Sequence, residues 1–425
     1  MTTRREFLMR TAASGVMAMT EVQAARAGTE SKKGSAAKDR ILRLAIVGTG
    51  QISHRYLKQA GNRATFVATC ARTVQSAKER ANEYGIGAWF DDYLAMYDTI
   101  KPDAVIVATP PAVHAGPTIA ALERRVHVLC EKPMATTFEE CQAMVAASQK
   151  SGAILLALPY DANPSFLTAL EYLNEATLGV FVGAEAQLLL PGPSRDNWYY
   201  DRKVAGGGAG LDTLVYAVSS LISRLGPARR VSGSINTLIP HRIVGDGETM
   251  DSVPPPRDPS KGKIVESTVD DNATLIIEWP GGQQAVVRAV WGTSLVRLDS
   301  AIYGRHGTLW LSIFGNDVVV HSPAQTIPGA TAVSWGGYES CYQIHVPLKA
   351  GYELPRDEGL IEHFIDCIEG HSQPTCGGAQ ALHVHEILFK GYEAARTGVT
   401  QDLKTTFTPW HRIDPAFQDT RSHPI

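Results

Sequence analysis

The sequence predicts an α/β protein. The N-terminal part is expected to be a Rossmann domain, a doubly wound parallel sheet. The C-terminal part is expected to be an α/β domain with an open, mainly antiparallel sheet. Short apolar runs alternate with helix-length segments between residues 41 and 158, as in successive βαβ units. Longer strand-like runs follow from residue 180, and Pro280-Gly281-Gly282 and Gly304-Arg305-His306-Gly307 are typical hairpin turns.

The first 40 residues differ from the rest of the chain. Arg4 and Arg5, then Phe7 and Leu8, a weakly apolar stretch over 11–20 and Ala25-Arg26-Ala27 follow the order of a twin-arginine export signal. We therefore expect residues 1–27 to be a signal peptide and the protein to be periplasmic or exported. A disordered N-terminus with a chance arginine pair is the alternative. Residues 28–40 are small and polar, which indicates a linker or arm.

The bulk composition excludes several classes of protein. The chain has 425 residues, 44% of them hydrophobic, which is enough for two cored domains. Its net charge of −3 with mixed signs argues against a nucleic-acid partner. No apolar run beyond residue 30 is long enough to span a bilayer. The six cysteines lack metal-site spacing and predict no disulfide framework, and Cys70 and Cys130 are expected to be buried thiols.

Periodicity assigns most elements in order. A dinucleotide-binding domain is predicted over 41–158 and a substrate-binding and oligomerisation domain over 159–425. In the first, strands are predicted at 42–47, 66–70, 103–107, 127–130 and 154–158, with helices at 52–60, 74–84, 112–124 and 137–150. In the second, a helix at 165–176 precedes strands at 180–190, 229–238, 269–279, 284–291 and 299–303, and helices return at 359–368 and 379–396. Residues 240–263 resemble a surface insertion.

The turn after the first strand predicts a dinucleotide site. Gly48-Thr49-Gly50-Gln51-Ile52-Ser53 departs from G-x-G-x-x-G at its last position. The first glycine makes the turn and the second lets a pyrophosphate approach the backbone, while the third only relieves helix–strand packing, so the small Ser53 is acceptable there. The strand before it and the helix after it are the context that supports the motif. An ordinary glycine turn is the alternative.

The end of the second strand bears on which coenzyme binds. NAD enzymes usually carry an acid there for the ribose hydroxyls, whereas this chain has Cys70-Ala71-Arg72-Thr73. Arg72 is suited to pair with a 2′-phosphate and Thr73 to donate to it. The sequence therefore favours NADP over NAD. A solvated arginine at a helix start is the alternative interpretation.

Two further segments carry candidate chemistry. Glu131-Lys132-Pro133 follows a strand, so it lies at the carboxyl edge of the sheet, where a lysine can polarise or protonate a substrate oxygen and Glu131 can orient it. Residues 206–210 are interpreted as a glycine loop that admits a ligand. Asp212 and Tyr216 follow it on one helix face. Taken one at a time, each residue has an alternative interpretation: Asp212 as a charge favoured at a helix start and Tyr216 as a core side chain.

Together with Thr109-Pro110 and His114, these motifs resemble the Gfo/Idh/MocA oxidoreductase family from residue 42 to 407. Tyr216, the twin-arginine leader and the small-residue arm are similar to those of exported glucose-fructose oxidoreductases in that family. The resemblance implies hydride transfer between NAD(P) and a sugar, cyclitol or derivative, and pairing of subunits through the open face of the antiparallel sheet into a homodimer or homotetramer. Its implied catalytic residues are Lys132, Asp212 and Tyr216. The predicted coenzyme-binding residues are Gly48, Thr49, Gly50, Gln51, Ile52, Arg72, Thr73, Thr109, Pro110, His114, Glu131 and Lys132.

The chain departs from the family pattern near the substrate. Pro111 stands where many members have Asn, and Asp161 replaces a usual basic residue. Tyr160 and Asp161 are therefore expected to contact substrate hydroxyls. Arg195 and Trp198 are expected to line the pocket, since aromatic faces beside polar groups suit a sugar ring. A loop packed on the sheet is the alternative for that segment.

Export constrains the function further. Free nicotinamide coenzyme is not expected outside the cytoplasm, so the coenzyme would be loaded first and held tightly. The leading prediction is a sugar or polyol oxidoreductase that regenerates its coenzyme in place. A glycoside hydrolase that cycles through transient oxidation is one rival, and a non-catalytic sugar-binding protein is another. No metal site is predicted, because His383 and His385 are two residues apart on a helix and face different ways.

Overall fold

The first sheet is formed by the parallel strands β1 (Leu42–Val47), β2 (Ala64–Cys70), β3 (Trp89–Phe90), β4 (Ala104–Val107), β5 (His127–Cys130) and β6 (Leu155–Ala157). Their order is β3-β2-β1-β4-β5-β6, the order of a dinucleotide-binding fold. The computed structural model describes residues 40–59, 61–157, 164–194, 197–245, 262–294, 296–322, 329–333, 341–348 and 359–413. The helices between them are α1 (Gln51–Leu57), α2 (Val74–Glu83), α3 (Tyr93–Ile100), α4 (Ala115–Glu123) and α5 (Phe138–Ser151).

Local sequence explains where these elements begin and end. Strand β4 is buried along its whole length and β1 almost so, as expected for strands covered on both faces. Helix α5 begins at Thr137, whose hydroxyl accepts the Glu140 amide at 3.2 Å, and ends at Gly152 in the left-handed region. Sequence reasoning missed β3 and α3, because the two-residue strand β3 is too short to show a period.

The second sheet confirms the predicted open, mainly antiparallel architecture. Its longer strands are β7 (Phe181–Leu190), β8 (Arg230–Asn236), β11 (Asn272–Glu278), β12 (Gln284–Trp291), β13 (Arg297–Gly304) and β14 (Thr308–Ser312). Its shorter strands are β15 (Val318–Ser322), β16 (Thr331–Val333), β17 (Cys341–His345) and β18 (Gln401–Asp402). Within the described residues these ten strands follow the order β16-β17-β15-β14-β13-β7-β12-β11-β8-β18, and only β7 and β12 pair in parallel.

Both predicted hairpin turns are confirmed. Gly282 has φ of +86°, and its amide donates to the Trp279 carbonyl at 2.9 Å, which closes the turn between β11 and β12. The Gly304 amide donates to the Gly307 carbonyl at 2.8 Å between β13 and β14. The predicted surface insertion has more structure than expected, since β9 (His241–Val244) and β10 (Lys263–Glu266) at its two ends form a separate antiparallel pair.

Five helices follow β6 in the described residues: α6 (Pro164–Tyr172), α7 (Arg202–Ala205), α8 (Leu214–Leu225), α9 (Gly359–Glu369) and α10 (Gly378–Thr397). Helices α6, α8 and α10 pack on the second sheet. Helix α9 buries Leu360, Ile361 and Phe364 in a core cluster with β1 and β4 of the first sheet. Helix α10 contributes Val384 and Leu388 to the core of the second sheet. The last two helices therefore pack on different sheets, α9 on the first and α10 on the second.

The structure also shows the state of the cysteines and the character of the helices. The described cysteine side chains (Cys70, Cys130, Cys141, Cys367 and Cys376) are buried free thiols, and burial raises the pKa of Cys70 and Cys130 to about 12. In the part of the chain that the structure describes, no helix is long and apolar enough to cross a membrane. The predicted signal peptide and arm, residues 1–39, lie outside the described residues.

Candidate active site

A cleft of about 1600 Å³ runs along the carboxyl ends of the first-sheet strands. One end is lined by the turn after β1 and the ends of β2 and β4. The other end is lined by Glu131 and Lys132 after β5 and, from the second part of the chain, by Trp198, Asp212 and Tyr216. This is the edge of a doubly wound sheet at which ligands bind.

The turn after β1 is made by a glycine that no other residue can replace without strain. Gly48 has φ of +103°, and a Cβ there would overlap the Ala108 carbonyl at the end of β4. Its amide donates to the Cys70 carbonyl at 2.8 Å, which ties the turn to β2. The predicted role of the first glycine as the turn-former agrees with this geometry.

The second glycine has a different reason to be small. A Cβ on Gly50 would meet no described atom within 4 Å, and Gly50 lines the cleft at the start of α1. The first turn of α1 contains no acid, and no side chain caps it. Ser53 is wholly buried, with its hydroxyl donating to the Gly50 carbonyl at 2.6 Å. The open space beside Gly50, the neighbouring amides and the absence of an acid from the first turn of α1 fit the pyrophosphate of a dinucleotide.

A charged cluster that sequence reasoning missed supports this turn from α2. Arg80 donates from Nη2 to the Thr49 carbonyl at 2.8 Å and from Nη1 to Glu83 at 2.9 Å. Arg80 also contacts the His54 ring, which lies 2.7 Å from the Tyr84 hydroxyl. Burial, and then the Arg80 charge, lower the pKa of His54. No motif marks Arg80, because its contact with residue 49 depends on how α2 packs beside α1.

The two residues after β2 that are predicted to contact a 2′-phosphate, Arg72 and Thr73, have different surroundings in the structure. Arg72 is exposed and lines the cleft, and no described residue pairs with its guanidinium. Thr73 is instead the N-cap of α2, and its hydroxyl accepts the Ser76 amide at 3.2 Å. Ser76 lines the cleft, whereas Thr73 is not among the lining residues. The structure therefore gives Thr73 a capping role, and its contact with coenzyme stays a prediction.

Residues after β4 are placed partly as expected. Thr109 and Pro110 line the cleft, and the Thr109 Oγ1 is buried without a hydrogen-bond partner among the described residues. His114 is fully buried and is not a lining residue. Its two ring nitrogens lie 2.9 Å from the Pro133 carbonyl and 2.7 Å from the Thr109 carbonyl. His114 therefore joins the loops after β4 and β5, and burial lowers its pKa.

Glu131 acts on the backbone of the lysine beside it. Its Oε1 accepts the Tyr56 hydroxyl at 2.6 Å, and its Oε2 accepts the Lys132 amide at 3.0 Å. Burial and the Glu131 charge raise the pKa of Tyr56, so Tyr56 keeps the proton that it donates. The predicted orientation of Lys132 by Glu131 thus takes place through the main chain.

Lys132, Asp212 and Tyr216 come together across the cleft. The Lys132 Nζ donates to Asp212 Oδ1 at 2.7 Å and to the Asp212 carbonyl at 3.0 Å. It also lies 5.0 Å from the centroid of the Tyr216 ring, within range of a cation–π interaction. Asp212 lies in a π-helical turn, Ala209–Thr213, that leads into α8, and such turns are frequent at functional sites.

Electrostatics keep Lys132 protonated. Burial alone lowers the pKa of Lys132, but the charge of Asp212, followed by Tyr216 and Tyr199, raises it by more. The net shift is upward, so the side chain is an ammonium group throughout the neutral and mildly alkaline range. The site therefore presents a fixed cation and a carboxylate side by side.

The glycine loop does not admit a ligand, which corrects the sequence interpretation. None of the glycines at 206–210 lines the cleft. A Cβ on Gly208 would overlap the Asp270 carbonyl, and one on Gly207 would overlap the Tyr392 hydroxyl. These glycines are needed because other parts of the protein approach them closely. Asp270 was missed in the sequence, where a buried carboxylate after an irregular stretch carries no recognisable pattern.

Aromatic residues form the remaining wall. Trp198 lines the cleft and stacks on Tyr199, with ring centroids 3.8 Å apart and an interplanar angle of 22°. Tyr200 anchors this turn, since its hydroxyl donates to the Pro193 carbonyl at 2.5 Å. Of the other predicted substrate residues, Tyr160, Asp161 and Arg195 lie outside the described residues.

The paired histidines of α10 are structural. His383 accepts the Ala228 amide at 2.9 Å, and His385 accepts the Met134 amide at 2.8 Å. Each ring therefore holds a different segment of backbone, and His385 helps to fix the loop that carries Lys132. Burial lowers the pKa of both residues to about 4.

Comparison with protein families gives matches over both sheets. A model described as the oxidoreductase family with an NAD-binding Rossmann fold matches residues 42–158. A model described as the GFO/IDH/MocA C-terminal domain matches residues 166–310. Together the two matches cover more than half of the chain.

Individual relatives are similar over different lengths. The 1,5-anhydro-D-fructose reductase of Ensifer adhaerens is 24% identical over 374 residues, covering 85% of this chain and 99% of that protein. The D-glucoside 3-dehydrogenase of Escherichia coli is 31% identical over 193 residues, covering 44% of this chain and 54% of that protein.

A solved levoglucosan dehydrogenase in complex with NADH and L-sorbose has the same fold. Its TM-score is 0.71 at 20% identity, covering 86% of this chain and 99% of that one. The two family matches, in chain order and over both sheets, decide the classification: the chain belongs to the Gfo/Idh/MocA family of oxidoreductases.

Proposed function

We propose that this protein is an NAD(P)-dependent oxidoreductase that acts on a CH–OH group of a sugar, polyol or related hydroxylated substrate. The observation that carries the proposal is the Lys132–Asp212 pair, 2.7 Å between Nζ and Oδ1, in the same cleft as the Gly48–Gly50 turn. The turn supplies a place for the dinucleotide, and the pair supplies groups that handle a hydroxyl proton.

Lys132, Asp212 and Tyr216 have separate roles in the proposed oxidation. The bound oxidised nicotinamide supplies the acceptor for the hydride that leaves the carbinol carbon. The Lys132 ammonium binds the substrate oxygen and stabilises the negative charge that develops on it. Asp212, with Tyr216 beside it, receives the hydroxyl proton as the C–H bond breaks and the carbonyl forms. In the reverse direction the same groups return the proton.

The substrate class is supported by relatives and by the cleft wall. Relatives that match this chain include enzymes named D-glucoside 3-dehydrogenase, levoglucosan dehydrogenase and inositol 2-dehydrogenase. The stacked Trp198 and Tyr199 rings beside Lys132 and Asp212 offer an apolar face next to polar groups, which suits a sugar ring.

NADP is proposed as the preferred coenzyme. The support is the exposed Arg72 guanidinium on the cleft wall at the end of β2, where no acid stands. The coenzyme is further proposed to be retained and the protein exported, on the strength of the leader in residues 1–27. A retained coenzyme must be regenerated by a second substrate or by an internal redox cycle.

The test is to purify the mature protein from the periplasm of a host with an intact twin-arginine pathway and identify its coenzyme by mass spectrometry. We expect NADP in near-stoichiometric amount and one equivalent of reduced coenzyme on addition of a suitable sugar. Bound NAD would overturn the preference, and absence of coenzyme would overturn retention. Release of nitrophenol from a nitrophenyl glycoside without net reduction would support the glycosidase alternative.

Self-association is proposed through the open face of the second sheet. Ile276 and Val286 pair directly across β11 and β12 and are 42% and 46% exposed. Tyr303 on β13 is also exposed. Adjacent apolar side chains on an open face are typical of subunit contacts. Light scattering is expected to give a dimer or tetramer for the native chain and smaller species for Val286→Asp, and a monomeric native chain would contradict the proposal.

A further inference from the structure

Asp270 is a buried carboxylate that the proposed chemistry does not use directly. Only 4% of the residue is exposed. Its Oδ1 accepts the Gly208 amide at 2.9 Å and its Oδ2 accepts the Gly210 amide at 2.6 Å. The Tyr392 hydroxyl donates to Oδ1 at 2.5 Å. The Ala209 amide donates to the Asp270 backbone carbonyl at 3.0 Å. Three successive amides of the glycine loop are thus held by one residue.

The glycine loop in turn holds the backbone of Asp212. The Gly208 carbonyl accepts the Asp212 amide at 2.8 Å and the Leu211 amide at 3.0 Å. The π-helical turn continues from there, with the Leu214 amide donating to the Ala209 carbonyl. A path of direct hydrogen bonds therefore runs from the Asp270 carboxylate through Gly208 to Asp212.

We propose that Asp270 is a positioning residue, whose carboxylate fixes the glycine loop so that the π-helical turn presents Asp212 to Lys132. A backbone turn without this carboxylate has buried amides without acceptors and can relax towards an ordinary α-helical turn. Such a change rotates Asp212 relative to Lys132. The inference rests on the proposed function, because it assigns Asp270 a part in the same active site.

The charge of the Asp270 carboxylate makes it suited to hold the glycine loop. Its carboxylate accepts three hydrogen bonds, and ionised acceptors bind amides more strongly than neutral ones. Burial and the Asp270 charge raise the pKa of Tyr392, so the phenol keeps the proton that it donates. An asparagine at 270 would present an NH₂ group to one of the two loop amides, which pairs a donor with a donor.

The neighbouring residue is a matched control. Asp271 is 2% exposed, and its carboxylate accepts the Leu238 and Ile239 amides at 2.9 and 2.6 Å and the Arg242 guanidinium at 2.9 Å. It is similarly buried and its carboxylate also accepts three hydrogen bonds, one of them from the charged Arg242, but it holds a different loop. Because Asp271→Asn also leaves the buried Arg242 guanidinium without its carboxylate partner, it is expected to cost at least as much stability as Asp270→Asn. Only Asp270→Asn is expected to change the active site.

The experiment measures turnover and the reactivity of Lys132 in both variants. Asp270→Asn is expected to lower kcat about 10- to 100-fold with little change in KM or in coenzyme Kd, as for a misplaced catalytic group. Trace acetylation followed by mass spectrometry is expected to label Lys132 faster in Asp270→Asn, because a lysine that loses its carboxylate partner has more free amine, about tenfold for each unit of pKa. Asp271→Asn is expected to match the wild type in both readouts.

Equal effects of the two variants on kcat and on Lys132 labelling would overturn the inference. If the wild type oxidises no sugar or polyol, the proposed function fails, while labelling still decides whether Asp270 positions Asp212 against Lys132. If Asp270→Asn does not fold, Tyr392→Phe removes one of the three donors and is expected to raise Lys132 labelling to a smaller extent. Unchanged labelling in that variant would also overturn the inference.

Discussion

The two ends of the cleft are built in different ways. At the coenzyme end the turn for the dinucleotide is made from backbone: a glycine in the left-handed region at Gly48, open space at Gly50 and the first turn of α1. The chemical end is made from side chains that come from distant parts of the chain. Lys132 and Asp212 are 80 residues apart, and Asp270 lies a further 58 residues on from Asp212. The Gly48–Gly50 turn is local in sequence, and the set of Lys132, Asp212 and Asp270 is not.

This difference explains what each end tolerates. At the Gly48–Gly50 turn a residue matters for the space that it leaves, so added atoms do the damage. At the chemical end a residue matters for the charge that it places, so removed atoms do the damage. Substitutions at the two ends should therefore separate coenzyme affinity from turnover.

The largest effect is expected from Lys132→Met. Loss of the ammonium group removes the charge that stabilises the substrate oxygen, and we expect kcat to fall by about a hundredfold to ten-thousandfold. Coenzyme Kd, measured by fluorescence titration, is expected to change much less than kcat, because the Gly48–Gly50 turn and the other predicted coenzyme contacts are intact. A Lys132→Met variant that loses coenzyme binding and keeps its kcat would contradict the separate roles of the two ends of the cleft.

Asp212→Asn is expected to have the next largest effect and to change the pH dependence. In the wild type the raised pKa keeps Lys132 charged beyond the ordinary lysine value of about 10.4. Without the carboxylate, burial is opposed only by the weaker phenol contributions, so the Lys132 pKa falls. The pH profile of kcat/KM should then lose activity at lower alkaline pH than in the wild type. An unchanged profile would contradict the pairing of these two side chains.

Gly50→Ala and Gly48→Ala are expected to separate coenzyme binding from folding. The added methyl of Gly50→Ala enters open cleft space, so thermal stability should be retained while coenzyme Kd rises at least about tenfold, or about 1.4 kcal/mol. Gly48→Ala meets the Ala108 carbonyl at positive φ, so unfolding free energy should fall by about 1–3 kcal/mol. Calorimetry and titration on both variants decide this, and equal loss of stability would count against it.

Arg72→Ala is expected to have the smallest effect, and it tests the proposed preference for NADP. Because Arg72 is exposed on the cleft wall, its removal should weaken NADP binding about tenfold and leave NAD binding nearly unchanged. Titration of the coenzyme-free protein with each dinucleotide measures the difference. An unchanged affinity for NADP would remove the support for the proposed preference.

The same contrast explains how much the sequence could predict. Strands β1 and β5, the helix start after Gly50 and the hairpin at Gly282 follow from short patterns and agree with the structure. The π-helical turn, the role of Asp270 and the support of Thr49 by Arg80 depend on contacts between distant segments. The glycine run before Asp212 shows the limit, since its composition was interpreted as a loop that admits a ligand, whereas Asp270 and Tyr392 approach it instead.

Single-turnover reduction of the bound coenzyme tests the central claim most directly. Protein loaded with one equivalent of oxidised NADP is mixed with a panel of sugars and polyols, and the absorbance of reduced nicotinamide is followed in the wild type and in Lys132→Met. We expect one equivalent of reduced coenzyme in the wild type with at least one substrate, and a rate reduced by about a hundredfold or more in the variant. Equal rates in the two proteins, or no reduction by any member of the panel, would contradict the account.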